Sequence, residues 1–109
     1  METIDNLTFE EFQAFLLIYC AGADLEFKEE EKEIILQFVS EDNFKKILKI
    51  YERLNDYDRT QWLIVNKSRI IKSESDKEKL IDNMETIFKS DGHYSAMEQN
   101  MMRMVKRFL

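Results

Sequence analysis

The residues whose types and spacing could do chemistry are concentrated in FKSDGHYSAMEQNMM, residues 88–102. This stretch sets Asp91 and a glycine turn beside His93, the only histidine, and then places Ser95 three residues before Glu98. Such a set suits a metal loop, an active site or a helix corner. One imidazole without a cysteine or a second histidine at ligand spacing does not predict zinc, so we expect His93 to be a solvated turn residue.

Catalysis finds no support in the residue pattern. Cys20 lies in the apolar run FLLIYCA, in a different segment from His93, and has no neighbour that would stabilise a thiolate. No glycine-rich loop that would hold a phosphate is visible in the sequence. We therefore expect a protein that is not an enzyme.

The arrangement around Asp91 occurs a second time in the sequence. GADLEFKEEEKEII (residues 22–35) pairs without gaps with KSDGHYSAMEQNMM (residues 89–102), which aligns Asp24 with Asp91 and Glu31 with Glu98 at a constant offset of 67 residues. Each copy is the end of an apolar helix, an Asp, two variable residues, an aromatic residue and a new helix. This internal repeat predicts two superimposable helix–loop–helix units, with the loops of Asp24 and Asp91 at equivalent positions.

These two segments resemble the TerB-like domains of tellurite-resistance and related bacterial proteins. The family pattern is roughly Ala-Asp-Gly, any residue, an aliphatic or aromatic residue, Ser or Thr, two further residues and Glu, and it occurs twice. GADLEFKEEE and KSDGHYSAME approach it here. The resemblance implies a compact all-helical bundle with pseudo-twofold halves. It covers both loops and their flanking helices, but residues 41–75 only by helix count and length.

The resemblance also implies divalent-metal binding by acidic residues of the two loops. The acids at matching positions are Asp91, Glu98, Asp24 and Glu31, and Glu26 is a further acid of the first loop, at a position where the pattern accepts any residue. Calcium, magnesium or manganese would suit these oxygen ligands. The second loop is the better candidate, because the first has Leu25 in place of the family's glycine and Lys28 in place of its Ser or Thr cap. Neither loop has the alternating Asp/Asn ladder of an EF-hand.

A purely structural role is the alternative for the same carboxylates. Glu98 and Ser95 can form a capping box, and Asp91 can accept hydrogen bonds from amides of its own turn. Calcium prefers several oxygen ligands, so one Asp–Glu pair is too few unless the other loop or backbone carbonyls also contribute. The sequence leaves open a weak divalent-cation site and a protein-binding domain of the same fold without a metal.

Six helix-length apolar patterns, two glycines and no proline predict an all-α bundle of about six helices. The predicted starts are Thr8 with Glu11, Lys28, Glu41 or Asp42, Asp58 with Gln61, Ser75 with Glu78, and Ser95 with Glu98. The first helix is apolar nearly all round and is expected to be central. We expect Trp62 in the core.

The last helix contains four methionines, and its spacing favours one buried face. The residues of that face are Met97, Met101, Met104, Val105 and Phe108. Thioether side chains also adapt to varied partners, so a methionine-rich partner-binding groove is the alternative.

Length and charge complete the expectations. A chain of 109 residues can bury one core, so we expect a single domain over residues 1–109, with residues 1–6 as a short flexible tail. A net charge of −6 argues against nonspecific binding of nucleic acid or anionic membranes. The longest apolar run, residues 14–23, is about half of a membrane span, so no membrane insertion is expected. One cysteine excludes an intrachain disulfide, and we expect a cytoplasmic protein.

Overall fold

The computed structural model describes residues 6–21, 29–89 and 96–109. These residues form six α-helices and no β-strand. In chain order the helices are α1 (Phe9–Ala21), α2 (Glu29–Ile35), α3 (Glu41–Arg53), α4 (Asp56–Ile70), α5 (Glu74–Phe88) and α6 (Ala96–Phe108). The predicted all-α class is confirmed for this part of the chain. Residues 1–5 of the expected tail lie outside it.

The helix at the centre of the bundle is α1. Every residue from Glu11 to Ala21 is buried, and α1 packs on α2, α3, α4 and α5. A helix that is apolar nearly all round needs such neighbours to exclude water. Burying one Leu or Phe side chain contributes about 1.5 to 3 kcal/mol. The predicted central position is confirmed, and none of the described helices is long and apolar enough to cross a membrane.

Two of the predicted helix starts are confirmed in atomic detail. At α1, Thr8 N donates to Glu11 Oε1 (2.9 Å) and Glu11 N donates to Thr8 Oγ1 (3.1 Å), which is a complete capping box. At α3, which begins at Glu41, Ser40 Oγ accepts a hydrogen bond from Asn43 N at 3.2 Å. Both caps satisfy backbone N–H groups that a helix leaves without partners at its first turn.

The predicted start of α4 is wrong. The helix begins at Asp56 instead of following Asp58, and Asn55 Oδ1 caps it by accepting a hydrogen bond from Asp58 N at 2.8 Å. Asn is as effective an N-cap as Asp. Because each further helical residue adds a backbone hydrogen bond, the helix extends to the earlier of two competent caps.

The predicted start of α5 is wrong for the same reason. The helix begins at Glu74, and Ser73 Oγ, not the hydroxyl of Ser75, accepts the hydrogen bond from Asp76 N at 3.2 Å. Asp76 Oδ2 also accepts a hydrogen bond from Lys72 N at 3.1 Å. The acid that completes the cap is thus Asp76, and Ser75 is an exposed residue of the first turn.

The buried face of α6 differs from the predicted one. Met102 (4% exposed) and Val105 (0%) are buried and Met101 packs partly buried against the core, but Met104 is 39% exposed. Methionine has the same hydropathy at positions 101, 102 and 104, so periodicity alone does not select the buried ones. Three side chains of α6 lie outside the described part of the structure, those of Met97, Glu98 and Phe108.

Trp62 lies in the core, as predicted. Its side chain is 0% exposed, and its ring stacks on Phe15 with centroids 3.9 Å apart and planes 13° apart. Phe12 lies 6.0 Å from Trp62, and Tyr51 meets Phe15 edge-on at 5.5 Å. Since these side chains come from α1, α3 and α4, the aromatic cluster holds three helices together.

Candidate functional site

Most of the predicted metal ligands lie outside the described residues. Asp24, Glu26 and Asp91 belong to residues 22–28 and 90–95, as do His93 and Ser95. Glu98 is the third residue of α6 by backbone position. The geometry of an ion site at these residues stays a prediction, as does the capping of α6 by Ser95.

Residues 22–28, between α1 and α2, and residues 90–95, between α5 and α6, are called the acidic segments below. The helices on either side of them keep the spacing of the sequence repeat. The last residue of α5, Phe88, follows the last residue of α1, Ala21, by 67 residues, and the first residue of α6, Ala96, follows that of α2, Glu29, by the same 67 residues. Helix α1 packs on α2, α5 packs on α6, and α1 packs on α5. Each acidic segment therefore connects two helices that are in contact, although superposition of the two units stays a prediction.

Burial follows the same correspondence at some positions. Leu17 and Met84, which are 67 residues apart, are both 0% exposed. Ile35 and Met102, also 67 residues apart, are 0% and 4% exposed. Other equivalent positions differ, since Phe15 is buried whereas Asp82, 67 residues later, is exposed, so burial agrees with the repeat only in part.

Glu31 is the predicted ligand whose side chain the structure describes. It is 8% exposed, in the first turn of α2, whereas its neighbours Glu29 and Glu30 are exposed. A carboxylate is favoured at a helix amino end, and a buried one needs a partner. Glu31 does make an interaction in the structure. Its burial distinguishes it from an ordinary solvated acid of a first turn.

Residues 6–21, 29–89 and 96–109 contain no cluster of three or more His, Cys, Asp or Glu side chains that could hold a metal ion. Within this part of the chain, Cys20 is 1% exposed, and burial raises the pKa of its thiol. A raised pKa disfavours the thiolate that a nucleophile or a metal ligand requires.

Two adjacent acids in the first turn of α1 join this helix to α3, a contact that the sequence pattern did not predict. Glu11 Oε2 accepts a hydrogen bond from Lys46 Nζ at 2.5 Å. Glu10 Oε2 accepts one from Ser40 N at 3.3 Å and another from the side-chain amide of Asn43. Glu11 of the capping box and its neighbour Glu10 thus bind residues at the beginning of α3. Only the capping box itself was visible as a local signal, because the partners lie some 30 residues away.

The pKa values of both acids are lowered. For Glu10 the main cause is the hydrogen bond from Asn43, followed by that from Ser40. For Glu11 burial acts in the opposite direction, but hydrogen bonds from Lys46 and Thr8 outweigh it. Hydrogen bonds to a carboxylate favour its ionised form. Both groups are therefore held as anions at neutral pH.

A pair of amide side chains, Gln13 buried and Asn83 half-buried, joins α1 to α5. Asn83 Nδ2 donates to Gln13 Oε1 at 2.7 Å, and Gln13 Nε2 donates to Phe38 O at 3.3 Å, just after α2. Gln13 is 4% exposed. A glutamine between Phe12 and Ala14 in an apolar helix is the sequence signal for such a buried polar contact. The pair connects helices that flank both acidic segments.

Comparison with known proteins agrees with this architecture. The chain matches the family model described as tellurite resistance protein TerB over residues 11–109. No curated protein and no solved structure gave a match. The family match extends through both acidic segments and through residues 41–75, which the repeat does not include. With nearly all of its length covered by one model, the chain belongs to the TerB family.

Proposed function

We propose that this chain is a non-enzymatic TerB module that binds a divalent cation weakly at its acidic segments and serves in tellurite resistance or a related stress response. Asp91 and Glu98 are the principal ligands, assisted by Asp24, Glu26 and Glu31. The observation that carries the proposal is the burial of Glu31 in the first turn of α2. The start of α2 has an equivalent 67 residues later, at the start of α6.

The packing of the paired helices supports a shared site. Helix α5 packs on both α1 and α2, so the two helix pairs are neighbours within one bundle. An ion needs more oxygen ligands than one Asp–Glu pair supplies, and carboxylates from both segments would remove that deficit. Weak affinity is expected because few protein ligands are available. Oxygen atoms of the protein replace the water molecules around calcium, magnesium or manganese effectively only when many of them converge on the ion.

Calorimetric titration with calcium, magnesium and manganese tests the proposal. At about 0.15 M salt the Debye length is about 8 Å, so diffuse attraction to a protein of charge −6 is screened. We expect saturable binding by the wild type and at least a tenfold loss in Asp91→Asn and Glu98→Gln, about 1.4 kcal/mol or more.

The matched controls are Asp82→Asn and Glu52→Gln, which remove the same charges from exposed positions of α5 and α3. Asp76 would be a poor control because its carboxylate caps α5. If the control variants lose as much cation affinity as Asp91→Asn and Glu98→Gln, or if the wild type shows no saturable binding, the proposed cation site is wrong.

A protein-binding module without an ion site is the second candidate. The exposure of Met104 on α6 favours it, because an adaptable thioether at the surface suits contact with a partner. Absence of saturable cation binding, together with an unchanged fold, is the result that this candidate requires.

A further inference from the structure

Helix α4 has a second face with apolar residues, opposite the one that packs in the core. Its inward face is formed by Trp62, Leu63, Asn66 and Ile70. The outward face consists of Tyr57, Gln61, Ile64, Val65 and Ser68, which share one side of the helix at spacings of three or four residues. Tyr57 is 70% exposed and Val65 53%, which makes them the most exposed large apolar residues in the described part of the chain.

This outward face carries no charge, although 35% of the residues of the chain are charged. Charged residues flank it instead. Asp58 and Arg69 are eleven residues apart, which is about three turns, so they lie on one flank. Asp56 and Lys67 have the same separation and lie on the other flank. Both flanks are therefore acidic toward the amino end of α4 and basic toward its carboxyl end.

We propose that the outward face of α4 binds the same face of a second copy of this chain, with the two α4 helices antiparallel. A twofold axis brings each flank of one helix against the same flank of its copy in reversed direction. Asp58 then lies near Arg69 of the second copy, and Asp56 near its Lys67. Both pairings place the axis close to Gln61 and Ile64, at the middle of the uncharged face.

Charge complementarity selects this occupant. An antiparallel copy of α4 matches both flanks at both ends, whereas a parallel copy would set acid against acid and base against base. Residues of both flanks also have partners within their own helix, since Asp56 pairs with Arg59 (N···O 3.2 Å) and Arg69 Nη1 donates to Asn66 Oδ1 at 3.1 Å. The association requires no cation and is independent of the acidic segments between the helices.

The size of the contact predicts a reversible dimer. A helix of 15 residues is about 22 Å long, which places the contact at the small end of specific interfaces. Each copy carries a net charge of −6, which opposes association until salt screens it. We therefore expect half-dimerisation at roughly 0.1 to 1 mM protein at about 0.15 M salt.

Sedimentation equilibrium of the full chain with a chelator present measures this association. The wild-type mass is expected to rise from 13.2 kDa toward twice that value with concentration. Val65→Lys is expected to weaken dimerisation at least tenfold. Met104→Lys is the matched control, because it adds the same charge at another exposed apolar residue, on α6. Circular dichroism confirms that each variant is folded.

Charge exchange tests the antiparallel arrangement. Arg69→Glu alone is expected to weaken dimerisation about tenfold, and adding Asp58→Lys to it is expected to restore most of the loss. In a parallel arrangement Arg69 would instead face Lys67 of the second copy, so Arg69→Glu alone would strengthen the association rather than weaken it. A wild type that stays at 13.2 kDa throughout, equal effects of Val65→Lys and Met104→Lys, or a double variant no better than Arg69→Glu would each overturn the proposal.

Discussion

Single side chains decide where the helices of this protein begin. Ser73 and Asn55 cap α5 and α4 by accepting hydrogen bonds from Asp76 N and Asp58 N. A competing cap only two residues downstream, such as Ser75, looks equally suitable in the sequence. The difference between two such starts is a few backbone hydrogen bonds, which local residue preferences do not resolve.

We expect Ser73→Ala to lower the free energy of unfolding by about 1 kcal/mol, because Asp76 N loses its side-chain acceptor. Ser75→Ala removes the same hydroxyl from an exposed position that does not cap the helix, and it should change stability by less than about 0.5 kcal/mol. Urea denaturation at pH 7 compares the two variants. A larger loss for Ser75→Ala would contradict the observed start of α5.

Elements are joined in this protein by polar contacts as well as by the core. Gln13 and Asn83 pair α1 with α5, and Phe38 O adds the turn after α2. Burying an amide without a partner is costly, so these contacts disfavour packings in which α1 and α5 are rotated or shifted. The sequence marks Gln13 as unusual in an apolar helix, but it does not identify Asn83, which is 70 residues away.

The junction of α1 with α3 makes stability depend on pH. The pKa values of Glu10 and Glu11 are lower than those of ordinary glutamates. An acid whose pKa falls on folding stabilises the fold fully above its unfolded pKa, about 4.3 for Glu, and this contribution is lost as the pH falls through the folded pKa. We expect the free energy of unfolding to decrease below about pH 5.

Urea denaturation between pH 7 and pH 3 measures that dependence. In Glu11→Gln the decrease should be smaller, and stability at pH 7 should be lower by about 1 to 3 kcal/mol, because the charged contact with Lys46 is gone. Glu52→Gln, at an exposed position of α3, is the control and should keep the wild-type dependence. An unchanged pH profile in Glu11→Gln would exclude this junction as its source.

At the scale of the whole molecule, α1 is the helix on which α2, α3, α4 and α5 pack, and α5 also packs on α6. The repeat predicted that α1 is followed by α2, and α5 by α6, at a constant offset of 67 residues, and the helix ends agree with that offset. A pseudo-twofold relation between the two pairs stays a prediction. Periodicity also predicted that α1 is central. It did not predict which methionines of α6 are buried, since Met101, Met102 and Met104 differ only in their contacts with other helices.

The candidate site was less predictable than the fold. Residue types indicated acids at equivalent points of the repeat, but they did not predict that Glu31 is buried. Ligand geometry depends on how two segments far apart in the chain approach each other, and sequence pattern carries no such distance. The contacts of Glu10 with Asn43 and of Glu11 with Lys46 were missed for the same reason.

The stacking of Trp62 on Phe15 has an optical consequence. Trp62 is the only tryptophan of the chain, and its ring is shielded from water by α1. An indole in an apolar site emits at shorter wavelength than one in water, so unfolding should shift the fluorescence of this protein to the red. The exposed faces of α4 and α6 lie outside this ring stack. Emission of Trp62 therefore reports the integrity of the core separately from events at the protein surface.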